Sequence, residues 1–286
     1  MKIKNKYKLI ISICILILFC IFLFLLLKKT QKQEFLKVAF LDVGQGDSIF
    51  IQAPNKKQIL IDGGRDKKTL SSLAKVMPFG DRSIDIVIGT HPDADHIGGL
   101  YHIIKDYKVG VVFEPGAVSE SNVYKSLQEL ILNKKIPHMV AQRGTQIILD
   151  KKENVVLEIL YPDENPVGWE TNSASVVAML SYGDTKVLLT GDSPIEKELY
   201  LVKQASSLDA DVLKLGHHGS RTSSSEVFLK AVSPDIAIIS AGRDNSYGHP
   251  HPEVLTLLQK LNLKYLETSK EGNIVCEISI SAYICK

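Results

Sequence analysis

Two histidines and two aspartates fall within six consecutive residues, His91-Pro92-Asp93-Ala94-Asp95-His96, and Ile97-Gly98-Gly99 follows. Imidazole nitrogens beside carboxylate oxygens make a borderline-to-hard donor set that suits Zn²⁺ or Mn²⁺ and offers no thiolate. From an extended loop the alternate positions His91, Asp93 and Asp95 can point the same way, with His96 following at a helix start. All four are therefore candidate metal ligands. A single Asp-x-Asp would read as helix-capping aspartates in a solvated loop. Two flanking histidines and a Gly-Gly pair that admits close backbone approach weigh against that reading.

The flanking chain must hold this cluster in place. Residues 84–88 (IDIVI) form a β-branched apolar run that reads as a buried strand, and 97–104 reads as the beginning of a helix. The cluster is thus expected in a strand-to-helix loop. Upstream, strands over 36–42 and 48–52 flank a tight turn, Val43-Gly44-Gln45-Gly46-Asp47. Gln45 and Asp47 sit at its tip, where polar side chains could face a site. A strand over 58–61 ends at Asp62-Gly63-Gly64. Downstream, a strand over 186–190 delivers Asp192 just past its end. Ser193-Pro194-Ile195-Glu196 then reads as a helix start with Ser at the N-cap. A strand over 211–215 leads into Gly216-His217-His218-Gly219. His217 is the ligand chosen from that pair, with His218 as proton donor or substrate contact; the reverse order satisfies the pattern equally. Ser223 and Glu226 read as a capping box. His249 and His251 return in a Gly/Pro-rich loop, His249 as a substrate or outer contact and His251 as the start of a helix through Leu261.

The chain has 286 residues, with 45% hydrophobic and 23% charged, ordinary values for a globular protein. Residues 9–27 are apolar except for Ser12, about the length that crosses a bilayer. The run ends without an A-x-A-like cleavage site, so an uncleaved anchor is preferred to a signal peptide. The resulting division is a basic segment 1–8, an anchor 9–27, a linker 28–35 and a domain 36–286. Lys2, Lys4, Lys6 and Lys8 favour a cytoplasmic N-terminus and an extracytoplasmic domain, while Lys28, Lys29 and Lys32 pull the other way. Setting aside the seven lysines of residues 1–32 leaves 27 basic against 32 acidic residues, a net charge of −5. That balance argues against tight nonspecific polyanion binding. Cys276 and Cys285 are the cysteines outside the apolar run, and their spacing leaves pairing open.

HPDADHIGG resembles the H-x-[HD]-x-D-H motif of the metallo-β-lactamase fold. With Asp at the third position it resembles the extracytoplasmic hydrolase domain of ComEC-type DNA-uptake proteins. LDVGQGDS (41–48), ILIDGG (59–64), LLTGDS (188–193), LKLGHHGS (213–220) and SAGRDNSYGHPHPEVL (240–255) match that group in order, so the likeness runs from about Leu36 to the C-terminus. It implies an α/β, four-layer αββα sandwich, here preceded by one transmembrane helix. It implies too that Asp62 supports the metal site by hydrogen bonding and that Asp192 bridges two cations. Many relatives carry a further metal-binding histidine where this chain has Asn172-Ser173-Ala174-Ser175, which reduces the ligands to the first metal position.

The expected activity is hydrolysis by a metal-bound hydroxide, with one or two Zn or Mn ions held by His91, Asp93, Asp95, His96, Asp192 and His217. Asp95, Asp192 and His218 form the catalytic group. Asp62, Gln45, Asp47, Asn172, Lys214 and His249 are outer or substrate contacts. Lys214, Arg221 and Arg243 flank the motifs and could neutralise phosphate. The resemblance points to a phosphodiester substrate, with DNA among the candidates. A hydrolase of another class, acting on a lactone, amide or thioester, and a metal-poor binding module are the competing readings.

Overall fold

A computed structural model describes residues 2–30, 35–205 and 207–286; the side chains of residues 2–6, 9 and 25–30 also lie outside what is described. The chain divides into two units, Met1–Glu34 and Phe35–Lys286. The described residues of the first form a single helix, α1 (Lys2–Thr30). Its described apolar side chains, from Ile10 to Phe24, are exposed. Among the described residues no helix is long and apolar enough to cross a membrane. Of the expected linker, residues 31–34 lie outside the described residues.

The second unit begins with β1 (Leu36–Phe40), β2 (Ile49–Gln52) and β3 (Gln58–Ile61), which pair antiparallel in succession. After α2 (Lys68–Ala74), the strand β4 (Ser83–Ile88) runs parallel to β3. Then come α3 (Ala94–Asp106), β5 (Lys108–Glu114), α4 (Asn122–Asn133) and β6 (His138–Val140), with β5 and β6 continuing the parallel edge. The next stretch, β7 (Gln146–Asp150), β8 (Val155–Tyr161), β9 (Val177–Tyr182) and β10 (Thr185–Leu189), is antiparallel. After α5 (Ile195–Gln204) come β11 (Val212–Lys214), α6 (Glu226–Val232), β12 (Ile236–Ile239), α7 (Pro252–Lys260) and β13 (Lys264–Glu267). The strands β10 to β13 are mutually parallel. A short α8 (Thr268–Glu271) leads to β14 (Ile274–Ile278) and β15 (Tyr283–Cys285), which return to the first sheet beside β1. The result is an eight-stranded and a seven-stranded sheet.

The period-two alternation of strand side chains explains the layering. Val38, Phe40, Ile49, Ile51, Ile59 and Ile61 face Leu157, Ile159, Ala178, Leu180, Val187 and Leu189 in the core between the sheets. The intervening Ala39, Phe50 and Leu60 pack outward with Leu73, Leu100, Ile103 and Leu127 of the first helical layer. Val177, Leu188 and Leu213 do the same with Leu201, Phe228 and Leu258 of the second. Strands buried on both faces read as near-continuous apolar runs. The expected αββα sandwich is therefore the architecture of the second unit.

Three local expectations are corrected. The N-cap of α5 is Pro194 rather than Ser193, whose hydroxyl is buried without a partner. The N-cap of α6 is Ser225, whose Oγ accepts from the Phe228 N–H, while the Ser223 hydroxyl donates to Ser193 O. The motif beginning at His91 is only partly loop, because Asp95 joins His96, expected at the helix start, in the first turn of α3.

Cys276 and Cys285 are bonded and stand opposite each other in the β14–β15 register. The bond clips a three-residue edge strand that offers little burial of its own. Replacing both cysteines with serine is expected to lower unfolding free energy by about 2–4 kcal/mol. A urea midpoint unchanged from that of the parent would show that the bond contributes nothing.

Candidate metal centre

Parallel strands deliver their C-terminal ends to one edge of a sheet, where functional loops collect. In the first sheet this brings together Asp62 after β3 and the His91–His96 segment after β4. In the second it brings together Asp192 after β10, His217 and His218 after β11, and the loop after β12. The loops after β4, β10 and β11 meet at one oxygen. The Nε2 atoms of His96, His218, His217 and His91 lie 3.2, 3.3, 3.7 and 4.0 Å from Asp192 Oδ2. Asp95 Oδ2 is 3.6 Å from His218 Nε2, and Asp93 Oδ2 is 3.7 Å from His91 Nε2. The other five expected ligands are therefore gathered around Asp192, and His218 joins them closer in and more deeply buried than His217.

The ring tautomers follow from fixed acceptors behind the histidines. His96 Nδ1 donates to the Asp62 carboxylate at 2.7 Å, and His218 Nδ1 donates to Ser240 O at 2.9 Å. Thr90 Oγ1 spends its proton on Asp62, so at 3.0 Å it accepts from His91 Nδ1. In its neutral form each of these rings turns its Nε2 lone pair to the centre, the tautomer that a metal ligand needs. His91 Nε2, His96 Nε2, His218 Nε2 and Asp192 Oδ1 are all buried without hydrogen-bond partners. Buried polar atoms are seldom left in that state. A convergent, oxygen- and nitrogen-only donor set with orphaned lone pairs fits a divalent cation.

Asp47, His96, Asp192 and His218 bring ligand atoms within 4.8 Å of one another, but Asp47 approaches from the other side. Its carboxylate is 3.4 Å from His218 Nδ1 and 4.0 Å from His96 Nδ1, behind the rings rather than in front of them. It is ion-paired there with Lys214, whose Nζ also donates to Gly191 O. Lys214 is fully buried, which corrects the expectation that it neutralises a substrate phosphate. Arg221 is exposed beside Glu253, and Arg243 donates to Ser269 O.

Several supporting residues went unread in the sequence. Ser175 Oγ accepts from the Asp192 N–H at 3.1 Å and lies 3.3 Å from His91 Nδ1. Thr171 donates to Asp93 Oδ2. Asn172, already expected as an outer or substrate contact, has a buried Oδ1 without a partner. Lone serines and threonines carry no spacing signal, although Ser175 falls in a segment already singled out.

The backbone is shaped around this centre. Asp62, His217 and His218 are held at φ of +58°, +50° and +55°, a left-handed region that side chains rarely adopt. The N-terminus of α3 is seated by Gly63 N–H donating to His96 O and Gly99 N–H donating to Gly64 O. A Cβ on Gly99 would lie 1.8 Å from Gly63 O, so glycine is required where the helix meets the β3 loop.

Charge compensation sets the protonation pattern. Burial opposes charge on His96, but the Asp192 and Asp62 carboxylates hold its pKa well above the ordinary histidine value. His218 is raised in the same way, burial being overcome by Asp192 and Asp47. Burial likewise opposes the Asp192 charge, yet His218 and His96 hold its pKa well below the carboxylate range. His91, with its ring centroid 4.0 Å from that of His96, is pushed down to about 3 by burial and by that neighbour. Burial and the neighbouring histidines, His218 foremost, take His249 to about 4. Histidines raised in the folded state stabilise fully below the unfolded pKa of about 6.5 and lose that contribution as pH rises through the folded value. Chelated protein is therefore expected to lose stability as pH rises above about 6.5. Divalent cation should bind more tightly over the same rise, releasing protons. Urea midpoints with chelator and with Mn²⁺ check this; parallel trends would contradict it.

Comparisons with known proteins identify the family of the fold. The family model described as the metallo-β-lactamase superfamily matches residues 41–243. ComE operon protein 3 of Bacillus subtilis (strain 168) is 34% identical over 281 residues, covering 92% of this chain and 35% of the relative. Competence protein ComA of Neisseria gonorrhoeae is 31% identical over 232 residues, covering 81% of this chain and 30% of the relative. The chain thus spans about a third of the length of these curated relatives. Among solved structures, Igni18, a metallo hydrolase from the archaeon Ignicoccus hospitalis, superposes with a TM-score of 0.52 at 15% identity, over 88% of this chain and 98% of that one. The chain belongs to the metallo-β-lactamase superfamily and resembles its ComEC-type competence relatives.

Proposed function

We propose that this chain is a membrane-anchored, divalent-metal-dependent phosphodiesterase whose substrate class includes DNA. The observation that carries the metal dependence is the convergence of four imidazole Nε2 atoms on Asp192 Oδ2. His96, His218, Asp95 and Asp192 would hold one cation; His91, Asp93 and Asp192 would hold a second, and His217 would be a further donor. A cation bound there, Zn or Mn by donor type, lowers the pKa of water and stabilises charge on an attacked centre. The protein's own part is positional. Asp62, Thr90 and Ser240 fix the imidazole tautomers, and Asp47 with Lys214 holds the His218 ring from behind. Asp192 offers a charged oxygen common to both groups of ligands.

The phosphodiester reading draws on the competence relatives, and the domain's net charge of −5 favours transient contact with a polyanion over storage of one. The anchor reading draws on the apolar run 9–27 and on the exposed apolar side chains of α1, for which lipid is the fitting solvent. The Cys276–Cys285 bond belongs to an oxidising compartment, which supports a domain outside the cytoplasm.

The test is metal content measured beside turnover on single-stranded DNA, duplex DNA, bis-p-nitrophenyl phosphate, nitrocefin and a lactone panel. Phosphodiester cleavage that follows Zn or Mn content is expected. Turnover confined to nitrocefin or lactones would move the protein to another hydrolase class. Protein that neither retains nor takes up metal would leave a binding module. Asp192→Asn should abolish turnover with the fold retained. Asp62→Asn, which leaves every ligand in place, is expected to cost about 10–100-fold in metal affinity or activity; parental values for both variants would refute these roles.

A further inference from the structure

The Gln45 turn and the His249 loop meet just outside the cation cluster, and their contact has a fixed polarity. The Gly242 N–H donates to Gln45 Oε1 at 3.2 Å. A backbone nitrogen can only donate, so this bond identifies the oxygen end of the Gln45 amide. Gln45 Nε2 then faces His249 Nδ1 at 3.3 Å, and an amide nitrogen at that position donates. His249 Nδ1 is therefore an acceptor, and the neutral ring carries its proton on Nε2. Among the described residues that Nε2 has no hydrogen-bond partner.

The contact is held from both sides. Asn245 Oδ1 accepts from the N–H groups of Tyr247 and His249, while its Nδ2 donates to Gly242 O and His249 O. A Cβ on Gly242 would stand 2.7 Å from Gln45 N, so the two loops are closed against each other. The His249 ring centroid is 5.4 Å from that of His217 and 6.1 Å from that of His218. It is the next imidazole outward from Asp192, and it is half-buried rather than sealed in.

We propose that Gln45 is a positioning residue that locks His249 as a neutral Nε2–H donor, and that His249 gives this hydrogen bond to a phosphoryl oxygen of the substrate as negative charge develops there. The substrate half of this proposal rests on the phosphodiester reading above. The proton stays on Nε2 throughout: the ring acts as a preorganised dipole, not as an acid. Removing one such preorganised donor typically costs about 10²–10³-fold in kcat.

The test uses the full chain labelled with ¹⁵N-histidine, with His249→Asn to assign the resonance. In the parent, Nδ1 of His249 should be pyridine-like and Nε2 pyrrole-like. Gln45→Glu still accepts from Gly242 but cannot donate to the ring, so it should place a proton on Nδ1. In that variant kcat on bis-p-nitrophenyl phosphate should fall about a hundredfold, with KM and metal content near the parental values. Gln45→Met should leave both tautomers populated. Adding inorganic phosphate to metal-loaded protein should shift the His249 Nε2–H in the parent and not in Gln45→Glu. A parental proton on Nδ1, a tautomer indifferent to Gln45, or an Nε2–H unmoved by phosphate would overturn the proposal. If the parent cleaves no phosphodiester, the functional reading fails, while the tautomer and the phosphate titration still decide the roles of Gln45 and His249.

Discussion

A buried carboxylate oxygen cannot stand alone in a protein interior, and Asp192 Oδ2 is the atom around which this molecule has solved that problem. Desolvation makes an isolated charge there costly, so opposite charge has to be brought to it. Imidazoles arrive from two sheets, on segments separated by about half of the domain sequence. Without a cation, His96 and His218 supply the compensation by holding protons. With one, the same Nε2 lone pairs would supply ligands. The site gathers groups that call for positive charge at one point, and protons and metal ions would be alternative occupants.

That requirement explains features that otherwise look like defects. Left-handed backbone at Asp62, His217 and His218 carries strain on the order of 1–3 kcal/mol per residue. Glycines at positions 63 and 99 forgo side-chain packing so that α3 can sit against the β3 loop and present His96. Lys214, on a central strand, is buried to meet Asp47 behind the rings. The rings are held on the Nδ1 side and open on the Nε2 side. A metal site needs this division between what orients a ligand and what the ligand binds.

Much of this was legible from residue types. The β-branched runs of β3 and β4 announced buried strands, and the His91–His96 spacing announced a cluster, because both signals are local. Signals that depend on which loop meets which were not. Asp47 reads as an outer contact at a turn tip, but its partners Lys214 and His218 cannot be named until the loops are placed. His217 and His218 are equivalent by spacing, and only the left-handed turn decides that His218 goes inward. Ser193-Pro194 looked like a capped helix start, but the Ser193 carbonyl is taken by Ser223, so α5 begins one residue later. The half-exposed β15 was too short to show any period, and its place in the first sheet follows from pairing with β14.

The most direct measurement is anomalous scattering from crystals of the protein soaked in Mn²⁺, collected at the manganese edge. The account predicts a peak within bonding distance of the Asp192 carboxylate and of His96 Nε2 and His218 Nε2. A map with no peak there, or with its strongest peak on the Asp47 side of the rings, would contradict it.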